Sequence, residues 1–448
     1  MATKQILLLG SGFVAEPCLE YLCRRPENKI TVGARRLQVA QELAAPYPGV
    51  QAISVDVSNE AALDAVVAGK DVVISLIPYI HHALVIKSAI KFKVNVVTTS
   101  YVSPSMLAYD EAAKEAGVVV MNEIGVDPGV DHLYALKTIK EVHDDGGKII
   151  SFLSYCGGLP APEDSNNPLG YKFSWSSRGV LLALKNNAKF YEDGRVVEYS
   201  GEELMNSAKP IPIYPGYAFV GYPNRDSTPY KERYNIPEAQ TILRGTLRYA
   251  GFPQFVKTLV DIGFLDDAPV DFLAESSGEI AWNDVVARRL GSSSDAEGDL
   301  VALIRQKSSI KGAEVDRIIK GMKWLGMFSQ TPVTRRGNYL DTLCATLEEK
   351  MMYGEKERDM VMLQHRFEVE LKDGTRQTRT STLLEYGVPG GFSAMARLVG
   401  MPCGVATQLV LDGVINKPGI LAPMSWDLID PLMKAIEAEG VVCHEEIL

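Results

Sequence analysis

Short runs of apolar residues alternate with stretches of helical periodicity through the first 125 residues of the chain. The apolar runs begin at residues 5, 29, 50, 72, 94 and 118, and helical patterns such as 59–68 and 83–92 separate them. Strands that are apolar throughout and are connected by helices are typical of a parallel sheet covered by helices on both faces. The pattern therefore predicts an α/β fold with a Rossmann-type, doubly wound domain of six parallel strands.

Beyond a helix that begins near Asp131, the pattern changes to that of a mixed sheet. Segments 149–155, 188–199 and 361–384 read as antiparallel strands or hairpins, the last two with turns at Asp193-Gly194 and Asp373-Gly374. We expect three domains. Their bounds are 1–132 plus 391–448 for the dinucleotide-binding domain, 133–236 plus 354–390 for a mixed α/β domain that binds substrate, and 237–353 for an inserted all-helical domain.

The composition of the 448-residue chain is that of an ordinary globular protein, with 46% hydrophobic and 23% charged residues. This length exceeds what one core usually organises, so two or three domains are expected. The formal net charge of −10 disfavours nucleic acid or an anionic membrane as a partner. The six cysteines and six histidines show no metal-ligand spacing, so no metal is expected.

We expect no targeting or membrane segment in the chain. Its first strand begins within a few residues of Met1, which leaves no room for a signal peptide. No apolar run approaches the roughly 20 residues that a membrane span requires. We expect a soluble, cytoplasmic protein whose thiols are reduced and mostly buried.

A glycine turn follows the first apolar run, in Gly10-Ser11-Gly12-Phe13-Val14-Ala15. A strand, a glycine turn and a helix in this order cradle the pyrophosphate of a dinucleotide. Gly10 allows the tight turn, Gly12 lets the backbone approach the phosphates, and Ala15 packs the helix onto the strand. Many strand-to-helix turns contain two glycines for steric reasons alone, so this fingerprint leaves a purely structural turn as the alternative.

The second strand ends in Ala34-Arg35-Arg36, where a fold that binds NAD would place an acidic residue on the ribose hydroxyl. Two guanidinium groups offer charge-assisted hydrogen bonds to a 2′-phosphate, whereas an acid would repel it. The pair therefore indicates NADP(H) as the cofactor. The alternative is a solvated basic start to the following helix.

Ligands of an open parallel sheet bind at the carboxyl ends of its strands, so residues that follow the strands are the next candidates. Pro78 either shapes the cofactor side of this crevice or only ends its strand. Ser100-Tyr101 either binds a ligand or is a helix cap, by Ser100 or Ser103, with a half-buried tyrosine. The expected cofactor contacts are Gly10, Ser11, Gly12, Phe13, Val14, Ala34, Arg35, Arg36, Asp56, Val57, Ser75, Ile77, Gly125, Val126, Pro128, Gly129, Val130 and Asp131.

Substrate contacts are expected from both parts of the chain. Ser100-Tyr101 supplies hydroxyls for a carboxylate or an amine, and Asp127 supplies a carboxylate that could hold an amine beside the nicotinamide. Asp-Pro-Gly at 127–129 is also a strong turn signal and could be entirely structural. Arg225 and Arg244 lie near predicted turns, and although either could be a surface residue, a substrate with several carboxylates requires such groups.

Several motifs together resemble the saccharopine dehydrogenases of the NADP-dependent, glutamate-forming type, also called saccharopine reductases. The motifs are Gly10-Ser11-Gly12-Phe13-Val14-Ala15, Ser100-Tyr101, Gly125-Val126-Asp127-Pro128-Gly129, and the segments YCGGLPAP at 155–162 and NPLGYKFSWS at 167–176. The last two are far more specific than the glycine turn. The resemblance covers the whole chain.

The resemblance implies a reaction in the aminoadipate route to lysine, in which glutamate and aminoadipate semialdehyde form an imine that NADPH reduces to saccharopine. It also implies a cytoplasmic homodimer of three-domain subunits, in which the mixed α/β domain dimerises. In this interpretation Arg225 binds one carboxylate, Gly245-Thr246 beside Arg244 binds another, and Asp127 orients the amine with Tyr101 nearby. Asp127 and Tyr101 are the candidate catalytic residues, although the substrate nitrogen and water could also exchange the protons.

Two other kinds of function remain open at this point. One is a related oxidoreductase, such as carboxynorspermidine dehydrogenase, homospermidine synthase or the lysine-forming saccharopine enzyme; Arg35-Arg36 weighs against its strictly NAD-dependent members. The other is a regulator that binds NADP without turning it over, because a fold does not determine a function.

Overall fold

The computed structural model describes residues 2–174 and 177–448. Trp175 and Ser176, the last two residues of the motif at 167–176, lie outside the described residues. The chain divides into two compact units. The first comprises residues 1–145 and 391–445, and the second comprises residues 146–390 and 446–448.

The strands of the described residues are, in chain order, β1 Lys4–Leu9, β2 Asn28–Ala34, β3 Gln51–Ser54, β4 Val72–Ser75, β5 Asn95–Val97, β6 Val119–Met121, β7 Lys148–Pro160, β8 Ala188–Glu192, β9 Arg195–Tyr199, β10 Lys209–Pro210, β11 Phe219–Pro223, β12 Thr241–Tyr249, β13 Asp359–Glu370, β14 Arg376–Tyr386, β15 Gly419–Leu421 and β16 His444–Ile447.

The α-helices of the same residues are α1 Ala15–Cys23, α2 Leu37–Ala44, α3 Glu60–Val67, α4 His82–Phe92, α5 Pro104–Leu107, α6 Asp110–Ala116, α7 Val130–Asp144, α8 Ser177–Ala183, α9 Tyr230–Arg233, α10 Phe252–Asp261, α11 Trp282–Leu290, α12 Glu297–Lys307, α13 Gly312–Trp324, α14 Tyr339–Met351, α15 Ala394–Leu411 and α16 Trp426–Ala438.

The first unit is built on a seven-stranded sheet in the order β3-β2-β1-β4-β5-β6-β15. Every neighbouring pair in it is parallel. The order 3-2-1-4-5-6 is that of a dinucleotide-binding fold. The Rossmann-type sheet and its six predicted strands are therefore confirmed, and β15 adds a three-residue strand too short to be recognised from the sequence.

Helix α15 forms the core of the first unit on the side of α1. A Cβ atom at Gly400 would lie 2.2 Å from the backbone oxygen of Val14, and one at Gly404 would lie 3.1 Å from Tyr21. Glycine at both positions lets the two helices approach closely. By length and composition α15 could cross a membrane, which the sequence analysis overlooked, but most of it is buried, as is typical of a core helix.

The second unit is built on a sheet in the order β10-β11-β12-β7-β13-β14-β16, with β8 and β9 attached beside β12. Strands β7 and β12 are parallel, and the pairs of β12 with β11 and of β7 with β13 are antiparallel. The predicted mixed α/β architecture is confirmed. The hairpins predicted at 188–199 and 361–384 are the pairs β8–β9 and β13–β14.

The prediction of helical structure from residue 237 onward is wrong at its start, because β12 lies in the middle of this sheet. The sequence of β12 carries two arginines among apolar residues, and its pairing with β7 and β11 overrides that ambiguous local pattern. Helices α10 to α14 follow, and their apolar side chains join those of the sheet in one core.

The predicted boundary between residues 132 and 133 falls inside α7. The structure instead divides the units after Asp145, at the end of that helix, because α7 packs as one element of the first unit. The segment 237–353 belongs to the second unit as a whole. A separate helical domain with those bounds stays a prediction.

Candidate functional site

A cavity of about 430 Å³ lies at the carboxyl ends of the central strands of the first unit. Its lining combines the glycine turn with residues that follow β2, β3 and β4. The lining residues are Gly10, Ser11, Gly12, Gly33, Ala34, Arg35, Val55, Asp56, Val57, Ser58, Leu76, Ile77, Pro78 and His81. The cavity therefore lies where a doubly wound sheet binds a dinucleotide.

The two glycines of the turn differ in what a side chain would meet. Gly10 has a φ of +114°, and a Cβ atom there would lie 2.3 Å from the backbone oxygen of Leu76. A Cβ atom at Gly12 would meet no protein atom within 4 Å, and Gly12 is among the residues that line the cavity. Gly10 is thus required by the fold, whereas Gly12 leaves space for a ligand, so the residues present fit a dinucleotide phosphate.

Of the two predicted arginines, only Arg35 is among the residues that line the cavity. Arg36 lies at the N-cap of α2 and is exposed. Asp56 faces the same cavity, and its pKa is lowered by hydrogen bonds from Ser58 and, less strongly, by the positive charge of Arg35. His81 lines the cavity although the sequence analysis did not name it.

The remaining expected cofactor contacts do not line this cavity: Phe13, Val14, Arg36, Ser75, Gly125, Val126, Pro128, Gly129, Val130 and Asp131. Within the turn at 125–131, the Asp131 carboxylate is fully buried and accepts the Gly129 N–H at 2.6 Å. Gly129 has a φ of +146°, and a Cβ atom there would lie 2.0 Å from the Gly125 oxygen. The side chain of Asp131 therefore stabilises the turn, and a cofactor contact at 125–131 stays a prediction.

Two residues expected to contact the substrate are hydrogen-bonded to each other. The Tyr101 hydroxyl donates to Asp127 Oδ1 at 2.9 Å, and both side chains are half-buried. Between Met121 and Val130, Asp127 is the only residue that is not buried. The turn that follows β6 therefore leaves this carboxylate accessible at the edge of the sheet where ligands bind.

A buried histidine that sequence reasoning missed connects the ends of β4 and β5. His82 Nδ1 lies 2.8 Å from Ser75 Oγ, and His82 Nε2 lies 2.8 Å from Ser100 Oγ. Burial lowers the pKa of His82 to about 4, so its ring is neutral at physiological pH. The only signal in the sequence was a histidine in the first turn of the helix after β4, which is too common to indicate a contact.

A second buried histidine supports the loop that carries Ser100 and Tyr101. His132 Nε2 lies 2.9 Å from Glu123 Oε2, and Glu123 Oε1 accepts the Val102 N–H at 3.0 Å. Glu123 and His132 are both fully buried. The sequence analysis did not assign His132 to catalysis, and its contacts in the structure are those of a residue that holds two loops together.

The predicted substrate residues of the second unit lie on β12 and in the loop after β11. Arg244 and Gly245 are inside strand β12 rather than near a turn, which corrects that expectation. The Arg244 guanidinium is hydrogen-bonded to the Tyr230 hydroxyl, and its carbon lies 4.3 Å from the centre of the Tyr230 ring. Thr246 is half-buried, and Arg225 is exposed with a φ of +54°.

Gly245 has a steric reason to be glycine. A Cβ atom there would lie 2.5 Å from the ring of Tyr155, which also covers Gly221 at 2.7 Å. Burial raises the pKa of Tyr155 to about 12, so the ring is neutral. The role of Gly245 in substrate binding stays a prediction, as do those of Arg225, Arg244 and Thr246. Ser100, Tyr101 and Asp127 belong to the first unit, and these four residues belong to the second.

Comparison with known proteins covers both units. A family described as "Saccharopine dehydrogenase NADP binding domain" matches residues 6–121, and one described as "Saccharopine dehydrogenase C-terminal domain" matches residues 125–441. Saccharopine dehydrogenase [NADP(+), L-glutamate-forming] of Schizosaccharomyces pombe is 62% identical over 444 residues, covering 99% of each chain. The protein of that name from Saccharomyces cerevisiae is 58% identical over 446 residues, again covering 99% of each chain.

A solved structure agrees with this. Apo histidine-tagged saccharopine dehydrogenase (L-Glu forming) from Saccharomyces cerevisiae superimposes with a TM-score of 0.93 at 55% identity. The match covers 99% of this chain and 100% of the other. The likeness therefore extends over both units rather than over the dinucleotide-binding sheet alone.

Proposed function

The chain belongs to the saccharopine dehydrogenase family, and we propose that it has the activity of the NADP-dependent, L-glutamate-forming members. It is an oxidoreductase that acts on a CH–NH bond in lysine biosynthesis. L-Glutamate and 2-aminoadipate 6-semialdehyde condense to an imine, whose reduction gives saccharopine. The observation that carries this proposal is the identity of 58–62% over nearly the full length of relatives with that name.

Two features of the cofactor site fit NADP(H): the backbone of the glycine turn and the side chain of Arg35. The backbone of the glycine turn, with space left at Gly12, would hold the pyrophosphate, and Arg35 at the end of β2 would supply a cation for the 2′-phosphate. When bound, the nicotinamide supplies the hydride that reduces the imine carbon. The residues of this chain bind and orient both reactants, which lowers the barrier by proximity and by electrostatic support of the iminium.

Asp127 is the group best placed to interact with the substrate nitrogen. Its carboxylate is accessible and accepts a hydrogen bond from Tyr101, which restrains its orientation. In the proposal Asp127 holds the bridging amine and Tyr101 exchanges a proton with it, while Ser100 contacts the same substrate. Arg225, Arg244 and Thr246 bind its carboxylates, and Gly245 contributes backbone groups.

The test is a reductase assay with the purified full chain. NADPH, L-glutamate and the semialdehyde are mixed with the protein, and nicotinamide oxidation is followed at 340 nm. We expect turnover that requires all three compounds and that yields saccharopine. Turnover with a polyamine precursor in place of glutamate, or with lysine and 2-oxoglutarate in place of glutamate and the semialdehyde, would instead assign a related oxidoreductase. NADPH binding without turnover would assign a regulator.

Assembly and location are further parts of the proposal. The resemblance to the saccharopine dehydrogenase family supports both a homodimer and a cytoplasmic protein. Light scattering coupled to size-exclusion chromatography tests the first, with about twice the 49.0 kDa chain mass expected. Fluorescence microscopy of a tagged chain in its host tests the second, and an organelle-restricted signal would contradict it.

A further inference from the structure

The contacts of His82 determine which way its hydrogen bonds run. Ser75 and His82 are each only 1% exposed, whereas Ser100 is half-buried. The three side chains form a row from the buried end of β4 to the loop after β5, with both oxygen-to-nitrogen distances at 2.8 Å. The outer end of the row is therefore the hydroxyl of Ser100.

A neutral imidazole has one N–H donor and one acceptor nitrogen, so only one of its two neighbours can receive its proton. Within the part of the chain that the structure describes, His82 Nδ1 is the only hydrogen-bond partner of Ser75 Oγ. If Ser75 accepted from the ring, its own buried hydroxyl hydrogen would have no acceptor, which costs about 1–3 kcal/mol. The Thr98 hydroxyl is as buried as that of Ser75, but at 3.4 Å from Nε2 it does not decide the tautomer, because the one lone pair of Nε2 would be taken by Ser100 at 2.8 Å. Ser75 therefore donates to Nδ1.

The proton of the ring is then on Nε2. It donates to Ser100 Oγ at 2.8 Å, with Thr98 Oγ1 as a second, weaker acceptor at 3.4 Å. Since the Ser100 oxygen accepts this proton, the Ser100 hydroxyl hydrogen is the one atom of the row left to point outward. That hydrogen requires an acceptor.

We propose that His82 is a positioning residue that makes Ser100 a hydrogen-bond donor, so that Ser100 meets a carboxylate oxygen of the substrate rather than its amine. This inference rests on the proposed function, because it assigns a partner to one residue of that site. The two residues then bind different parts of the substrate: Ser100 binds an anionic oxygen, and Asp127 binds the nitrogen. The outward donor also gives the substrate carboxylate a fixed direction of approach.

The tautomer is measurable without any substrate. In full-length protein with 15N-labelled histidine, the ring nitrogens of His82 are assigned by their loss in His82→Gln, and long-range proton–nitrogen correlation distinguishes Nε2–H from Nδ1–H. We expect a neutral ring protonated at Nε2 near pH 7. A proton on Nδ1, or a charged ring, would overturn the proposal whatever the reductase assay shows.

Steady-state kinetics test the consequence for the substrate. We expect His82→Leu and Ser100→Ala each to raise the KM for saccharopine about tenfold, with kcat and the KM for NADP changing less than about twofold. The double variant should be no worse than Ser100→Ala alone, because His82 acts on the substrate only through the Ser100 hydroxyl. Multiplied effects in the double variant, or a fall in kcat alone, would contradict this role.

His82→Gln is the conservative control, and it keeps the test decisive if His82→Leu does not fold. Its side-chain amide can donate to Ser100 as Nε2–H does, so we expect most of the affinity for saccharopine to be retained. A tenfold loss in a folded His82→Gln protein would overturn the donor argument. Absence of wild-type turnover with glutamate, the semialdehyde and NADPH would instead refute the proposed function. The tautomer of His82 could still be measured in that case, because its measurement needs no substrate.

Discussion

The hydroxyl of Tyr101 donates a hydrogen bond to Asp127, although 26 residues separate them in the chain. Tyr101 lies in the loop after β5, and Asp127 lies in the turn after β6. Strands β5 and β6 are adjacent and parallel, so their carboxyl ends bring the two loops together. The carboxylate is thereby oriented before any substrate binds, which is what a group that must hold a developing charge requires.

Replacing Asp127 by alanine should impair both binding and turnover. We expect kcat and the affinity for saccharopine each to fall about tenfold or more, because the amine would lose its charged partner. The KM for NADPH should change little. If kcat and saccharopine affinity both stay within about threefold of wild type in steady-state assays, the amine contact is wrong.

Tyr101→Phe removes only the hydroxyl and serves as the matched variant for this pair. If Tyr101 acts mainly by orienting Asp127, the double variant should lose less than the sum of the two single losses in free energy. Strict additivity in the double-mutant cycle would mean that the two side chains contact the substrate independently.

Arg35 and Arg36 offer a comparison between two adjacent arginines. Arg35 lines the cavity and Arg36 does not, so only Arg35→Gln should raise the KM for NADPH strongly, by about tenfold or more. The KM for NADH should change less than about twofold, because NADH lacks the 2′-phosphate. Equal losses for both cofactors, or a larger loss in Arg36→Gln, would assign the phosphate to another group.

The glycine turn allows the fold and the ligand site to be separated by single methyl groups. Gly12→Ala adds a Cβ atom that meets no protein atom within 4 Å, so we expect a thermal midpoint within about 2 °C of wild type. NADPH affinity, measured by fluorescence titration, should fall about tenfold or more, because the methyl group occupies the place where the phosphates approach the backbone.

Gly10→Ala is the contrasting variant. Its Cβ atom would lie 2.3 Å from the Leu76 oxygen at a φ of +114°, so the protein itself should be destabilised by several degrees. A Gly12→Ala protein that keeps full NADPH affinity would show that the dinucleotide does not approach this turn.

The part of the fold that the sequence predicted is the part encoded by local pattern. Strands β1 and β4 at the centre of the first sheet are largely buried, and their apolar runs mark them directly. Strand β12 was missed because its two buried arginines and central glycine are explained only by tertiary contacts. Arg244 stacks on Tyr230, and Gly245 lies under Tyr155. Such contacts depend on pairing between distant segments, which no local pattern contains.

The residues of the site also fall into those that local sequence predicts and those that it does not. The glycine turn and Arg35 were predictable because their positions are counted along the chain from a recognisable strand. His81 and His82 were not, although one lines the cavity and the other connects Ser75 with Ser100. Their roles follow from where the first turn of α4 meets the strand ends, and a histidine in such a turn is usually packed or solvated.

The buried ring of His82 should make the stability of the first unit depend on pH. The pKa of His82 is lowered by burial to about 4 in the folded chain, against about 6.5 when unfolded. Between these values the unfolded chain binds a proton that the folded chain does not, so stability rises with pH. The contribution is complete above about pH 6.5, and about 3 kcal/mol is lost as pH falls from there to about 4.

The variant His82→Gln isolates this effect, because it does not titrate in the same range. As pH falls from 6.5 to 4.5, we expect the thermal midpoint of wild type to fall further than that of His82→Gln. Other groups that titrate in this range are common to both proteins and cancel in the difference. A difference that stays constant across the window would mean that His82 is already charged, or already solvated, in the folded state.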